Sequence, residues 1–152
     1  MKKIKTIFVI SVVIILTGLT ACSSGPTRPS VEVSYEDFLE VQGTISRLVS
    51  KEIEVSAGSS FTVTLWSNAT TGFNWSELAT IGNQNIVEQI DHEYVAPYSD
   101  DDTPTPPGTS GKEVWTFKAL KKGTSDIHME YSQPWEGGEK DAFSFFLTVV
   151  VK

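Results

Sequence analysis

From residue 51 to the C-terminus, apolar and polar side chains alternate with a period of two, the spacing of strands that face a core on one side and water on the other. Ile53 and Val55 begin the series, and Ala57, Gly58 and Ser59 turn the chain. Phe61, Val63 and Leu65 then alternate with Thr62 and Thr64. Phe73 and Trp75, followed by Glu77, open the next strand, and residues 86–95 carry another in which Val87 and Ile90 are the expected core contacts. Trp115, Phe117 and Ala119 share one strand face ahead of a turn at Lys121, Lys122 and Gly123. Ile127, Met129 and Tyr131 oppose Asp126, His128 and Glu130. Phe143, Phe145, Leu147, Val149 and Val151 finish the chain, and Phe146 with Val150 on the other face predicts a strand buried on both sides. No internal repeat or long helical period interrupts the series, which predicts an all-β fold, an antiparallel β-sandwich of about seven to eight strands.

The first 50 residues follow other rules. Met1, Lys2, Lys3, Ile4 and Lys5 form a basic start, and residues 7–17 form an apolar run too short to span a bilayer. Leu19, Thr20, Ala21 and Cys22 follow at once and resemble the lipobox of bacterial lipoproteins. That resemblance implies acylation of Cys22 and removal of the peptide before it, with the protein held at the bacterial cell envelope by its acyl chains, at the outer membrane in a diderm. Residues 23–34, rich in Ser and Pro, have the composition of a flexible spacer. Residues 35–50 admit two readings: Phe38, Val41, Ile45 and Leu48 fall near a helical period, whereas residues 44–49 also suit an edge strand. The expected organisation is thus a signal over residues 1–22, a linker and extension over 23–50, and one domain over 51–152.

Cys22 is the only cysteine in 152 residues, so no disulfide can form within the chain. Without Lys2, Lys3 and Lys5 the basic residues fall from 12 to 9 against 19 acidic ones, a net charge of −10. Nucleic acid and anionic headgroups are poor partners for such a surface. Membrane attachment would rest on acyl chains instead.

One turn has an unusual make-up. Asn68, Ala69, Thr70, Thr71 and Gly72 are small and uncharged, and Phe73 and Trp75 sit at alternate positions where they can anchor the base of the loop. A stiff, uncharged projection suits insertion into a cleft, where buried charge costs desolvation and mobile side chains cost entropy. Because each strand crosses the sandwich, alternate connections collect at one end. The loops at residues 98–111 and 132–141 join this turn, provided one further strand lies between Ile86 and Tyr98. The former carries Gly108, Thr109, Ser110 and Gly111; the latter carries Gln133, Pro134 and Trp135, a large aromatic that a turn does not need.

In this order and spacing the three segments resemble the chagasin family of inhibitors of papain-like cysteine proteases, over about residues 51–152. Family members carry an Asn-Pro-Thr-Thr-Gly-aromatic loop, a Gly-x-Gly-Gly loop and an Arg-Pro-Trp/Phe loop on an immunoglobulin-like sandwich. The resemblance implies that Thr70 and Thr71 sit over the protease's catalytic pair, that Gly72 allows the close approach, and that Trp135 and the segment from Gly108 through Thr109 and Ser110 to Gly111 grip opposite cleft walls. Asn68, Ala69, Phe73, Gln133 and Pro134 complete the expected protease-binding set. Three positions depart from the pattern. Ala69 replaces a proline, which loosens the free loop at a cost of about 1 kcal/mol or less. Ser110 replaces a glycine, and Gln133 replaces an arginine whose fork of donors glutamine cannot copy.

Catalysis would need a nucleophile with a base or paired carboxylates. His92 and His128 are the only histidines and are expected at the surface. The Asp100, Asp101 and Asp102 run lacks the spacing of a calcium loop. The expectation is therefore no catalytic residue, no metal and no cofactor. The alternative to an inhibitor is a lipid-anchored envelope module that binds a glycan or protein, with Trp75 and Trp135 as stacking residues.

Overall fold

A computed structural model of the chain describes residues 28–39, 47–97 and 105–152. Its strands are β1 (Ser30–Val33), β2 (Leu48–Val55), β3 (Ser60–Ser67), β4 (Asn74–Trp75), β5 (Thr80–Ile81), β6 (Val87–Val95), β7 (Gly111–Ala119), β8 (Gly123–Ser132) and β9 (Phe143–Val151). A single short α-helix, α1 (Tyr35–Leu39), joins them among the described residues. Period-two sequence becomes period-two burial: on β3 Phe61, Val63, Leu65 and Ser67 face inward, and on β7 so do Gly111, Glu113, Trp115, Phe117 and Ala119. The two sheets run in the orders β1-β3-β7-β6 and β2-β9-β8-β4, with β5 also on β8. Between them Phe61, Phe117, Ile127, Met129, Phe145 and Leu147 are fully buried. Each contributes about 1.5–3 kcal/mol by leaving water, which lets a chain without a disulfide hold two sheets together.

The architecture is the expected all-β sandwich with three amendments. Nine strands stand among the described residues, because residues 74–81 make one pass along β8 in two pieces and a segment read as spacer supplies β1. Nor is the pairing wholly antiparallel: β1 runs parallel to β3, with Val31 opposite Val63, and β2 runs parallel to β9. The domain also begins earlier than residue 51. β2 starts at Leu48, Val33 is buried, and Phe38 of α1 is fully enclosed against Trp75 and Phe143. Of the two readings for residues 35–50, helix holds over Tyr35–Leu39 and strand from Leu48; Val41 and Ile45 lie outside the described residues. So do Cys22 and residues 23–27 of the expected spacer.

Strand direction fixes the poles. β3 ends, β6 ends, β7 begins, β8 ends and β9 begins at one pole, so the turn at residues 68–73, the described residues that lead out of β6 and into β7, and the connection at residues 133–142 collect there. β6 is the returning strand this requires, being antiparallel to β7. α1 lies at the same pole, where the chain crosses from the edge of one sheet to the edge of the other.

Three side chains depart from the sequence reading. Ile90 is half exposed rather than in the core, because the register of β6 against β7 shifts between Gln89 and Asp91 and leaves Ile90 as the extra residue of a bulge. The bulge reverses the inward parity and puts His92 opposite Trp115, where Asp91 would otherwise face the core. His92 is therefore not a surface residue: its ring stacks on Trp115 at 4.7 Å and only 18% of its side chain is exposed. Phe146 is 40% exposed on the outer face of its sheet, where no third layer covers it among the described residues and His128 stacks on it at 4.1 Å.

Candidate functional site

Asn68 organises the pole. It caps a 3-10 turn over Ala69–Thr71, its side-chain oxygen accepting from the Thr70 N–H at 3.2 Å and from the Thr70 hydroxyl at 2.7 Å. Its carbonyl accepts from the Thr71 N–H and, at 2.6 Å, from the Thr71 hydroxyl. The Tyr131 hydroxyl accepts from the Asn68 N–H at 3.0 Å and donates to its carbonyl, tying the loop to β8. Gly72 closes the turn in the left-handed region at φ 78°, the conformation that glycine adopts without a Cβ penalty. Ala69, Thr70 and Thr71 are exposed at the tip, and both threonine hydroxyls are already engaged within the loop.

The flanking loops touch this one. The Asn68 side-chain amide donates to the Gly108 carbonyl at 3.1 Å, joining the first loop to the second. On the other side the Trp135 ring lies over Gly72, so that a Cβ on Gly72 would stand 2.6 Å from Trp135 Cη2. Trp135 is 48% exposed, and its ring also covers Gly138, where a Cβ would come within 3.0 Å of Nε1. The third loop is closed by Gln133, whose N–H donates to the Glu139 carbonyl and whose side-chain oxygen accepts from the Glu139 N–H at 3.0 Å. The Lys140 ammonium donates to the carbonyls of Gln133 and Trp135. Thr70, Gly108 and Trp135 thus belong to one continuous rim, although 65 residues separate the first from the last.

Not every residue of the expected set faces outward. Phe73 stacks on Tyr131 at 5.5 Å and anchors the loop. Gly111 is buried, with no room for a Cβ, which would meet the Val95 carbonyl at 2.5 Å. Gln133 spends its acceptor inside its own loop. Trp75, a stacking residue in the glycan reading, is 3% exposed with its Nε1 donating to the Trp66 carbonyl, leaving that reading only Trp135. The tip residues Ala69, Thr70 and Thr71 are exposed, as are Gly108, Thr109, Pro134 and Trp135, with Ser110 part-buried.

One residue that the sequence reading missed underlies the rim. Glu113 is 4% exposed, and its Oε1 accepts from the Ser67 hydroxyl at 2.7 Å and from the Trp75 N–H at 3.1 Å. Ser67 and Trp75 are the two stems of the first loop, so a single carboxylate clamps both. His92 Nε2 lies 2.9 Å from the other oxygen. The signal was available: Glu113 falls in phase with Trp115, Phe117 and Ala119, where a charge is out of place unless it has partners.

For metals, the described residues bring one trio together: His128, Glu130 and Asp141 hold ligand atoms within 4.8 Å of one another on the outer face of β8 and at the foot of the third loop. Glu130 and Asp141 are exposed. Asp100, Asp101 and Asp102 lie outside the described residues.

A two-sheet sandwich that gathers a narrow, uncharged, internally braced tip and an exposed tryptophan at one pole is a binding protein built to present loops. Residues 54–149 match the profile of a family described as chagasin family peptidase inhibitor I42, and the chain belongs to that family, whose members are inhibitors rather than enzymes. No curated protein sequence matches the chain. Among solved structures, the cysteine protease inhibitor EhICP2 from Entamoeba histolytica shares the fold, with 20% identity, a TM-score of 0.59, and coverage of 84% of this chain and 100% of that one. Amebosin in solution has 21% identity and a TM-score of 0.49 over 82% of this chain and 99% of its own. PbICP-C, solved in complex with falcipain-2, has 16% identity and a TM-score of 0.47 over 82% and 99%.

Proposed function

We propose that this chain inhibits papain-like cysteine proteases reversibly, by placing the tip at Thr70 and Thr71 in the active-site cleft while Trp135 and the Gly108 segment rest on the two walls. The observation that carries the reading is the rim itself, three loops joined by the Asn68–Gly108 hydrogen bond and the seating of Trp135 on Gly72. Occlusion requires no chemistry of the inhibitor. It requires a shape that does not deform and gives up little on desolvation, and a tip whose hydroxyls are already bonded meets both conditions. Bracing before contact also spares the ordering entropy that a mobile loop would lose on binding.

The anchor belongs to the same reading. The basic start, the short apolar run and Leu19-Thr20-Ala21-Cys22 support acylation at Cys22 and a place in the bacterial cell envelope, facing proteases from a membrane surface. Labelling with a radioactive fatty acid tests this directly, and loss of label on Cys22→Ala is the expected result.

Titration of the chain beginning at Ser23 against papain and a cathepsin L-type enzyme tests inhibition. Tight, reversible loss of activity is expected. Thr71→Arg and Trp135→Ala should each raise the inhibition constant while leaving the melting temperature nearly unchanged, because both side chains are exposed. No inhibition at micromolar concentration by the unaltered chain would refute the proposal.

A further inference from the structure

Beside the rim lies a groove of about 900 Å³ whose far wall is not a loop of the sandwich but the N-terminal segment. Tyr35, Glu36 and Trp66 line it together with Thr71 of the first loop and Ser110 of the second. Residues 28–39 fall outside the span that matches the family profile, yet they are built into this domain. β1 pairs along β3, Phe38 is fully buried, and Asp37 accepts from the Ser34 N–H at 2.8 Å and approaches Lys51 at 3.5 Å. A segment fixed so firmly at the rim pole holds its exposed side chains in place there.

The chemistry of the groove selects its occupant. Tyr35 and Trp66 have ring centroids 4.5 Å apart and form an aromatic wall, and the Glu36 carboxylate stands exposed at its edge. Lys112, the cation lining the groove, is bonded to Glu32, so of the groove's two acidic residues Glu36 is the one with no partner among the described residues. An aromatic face beside an unpaired carboxylate attracts a cation twice over, through the ring quadrupole and through a charge-assisted hydrogen bond. We infer that the groove receives an arginine or lysine side chain from the rim of the protease cleft, making the N-terminal segment a fourth contact that sets which proteases bind well. This rests on the inhibitory reading of the loops, since the groove opens on Thr71 and a protease seated there would bring its cleft rim alongside.

The experiment compares variants of the full chain against papain and a cathepsin L-type enzyme at low and high salt. Glu36→Lys should raise the inhibition constant about tenfold for at least one enzyme, by setting like charges against each other. Glu36→Gln should raise it about threefold and flatten its salt dependence. Glu88→Lys makes the same change in net charge at the far pole and should leave inhibition unchanged, which separates a local contact from general attraction. Glu36 is exposed, so melting temperatures should stay level. If the Glu36 and Glu88 variants inhibit both enzymes as the unaltered chain does while Thr71→Arg loses inhibition, the fourth contact is refuted and the three-loop reading stands. If the unaltered chain inhibits neither enzyme, both fall together.

Discussion

Replacing Glu113 with alanine tests whether the rim is held from beneath. The side chain is almost wholly buried, and three groups converge on it: the Ser67 hydroxyl, the Trp75 N–H and His92 Nε2. Each buried polar group left without a partner costs about 1–3 kcal/mol, and because all three share one carboxylate the losses overlap. Losing all three together costs about 3–5 kcal/mol in total, a large share of the 5–15 kcal/mol that keeps a domain folded. In a domain of this size that corresponds to a fall of about 10–20 °C in melting temperature, read by calorimetry and by urea denaturation. Glu113→Gln retains one acceptor for Ser67 and Trp75 and should lose only about 1–2 kcal/mol. Since the clamp joins the two stems of the first loop, both variants should also inhibit papain less well at temperatures where they remain folded. A melting temperature for Glu113→Ala within about 2 °C of the unaltered chain would refute this account of the loop's support.

Other outcomes follow from the same geometry. Gly72→Ala forces a left-handed φ on a residue with a Cβ, at about 1–2 kcal/mol, and drives that Cβ into Trp135; it should lower the melting temperature and weaken inhibition together. Ala69→Pro places a fixed φ at the first position of the 3-10 turn, and should stabilise the free loop by about 0.4–1 kcal/mol and tighten inhibition about two- to fivefold. The Ser34 N–H, with help from its hydroxyl and from Lys51, holds the Asp37 carboxyl below its ordinary value of 3.8 despite partial burial. A carboxyl lowered by folding stabilises the folded state above its unfolded value and loses that effect as pH falls through the folded one. The stability difference between the unaltered chain and Asp37→Asn, from urea denaturation, should therefore be constant near neutrality and shrink below about pH 4.

What the sequence disclosed and what it withheld divide along physical lines. Phe61, Val63 and Leu65, or Ile127, Met129 and Tyr131, announce their strands because a period of two survives wherever pairing is regular. Ile90 misleads because a bulge shifts parity by one residue without any change in composition, and the same shift turns His92 inward. Phe146 misleads because an apolar residue on an outer face looks the same whether or not another layer covers it. β1 carries only Val31 and Val33 amid Ser, Pro and Glu, so its strand comes from an edge offered by β3 rather than from its own propensity. The tips of the rim were legible from loop chemistry and from counting strand reversals. The bonds that join them, from Asn68 to Gly108 and from Glu113 to both stems, depend on distances across 40 and 38 or more residues that periodicity does not encode.

Hydrogen exchange on the complex with papain tests the central claim most directly. The account predicts that amides at residues 68–73, 108–110 and 133–138 become protected together, while the far-pole turns at Gly58 and at Lys121 and Lys122 exchange as in the free chain. Protection of the far pole, or of the β6 edge without the three loops, would contradict it.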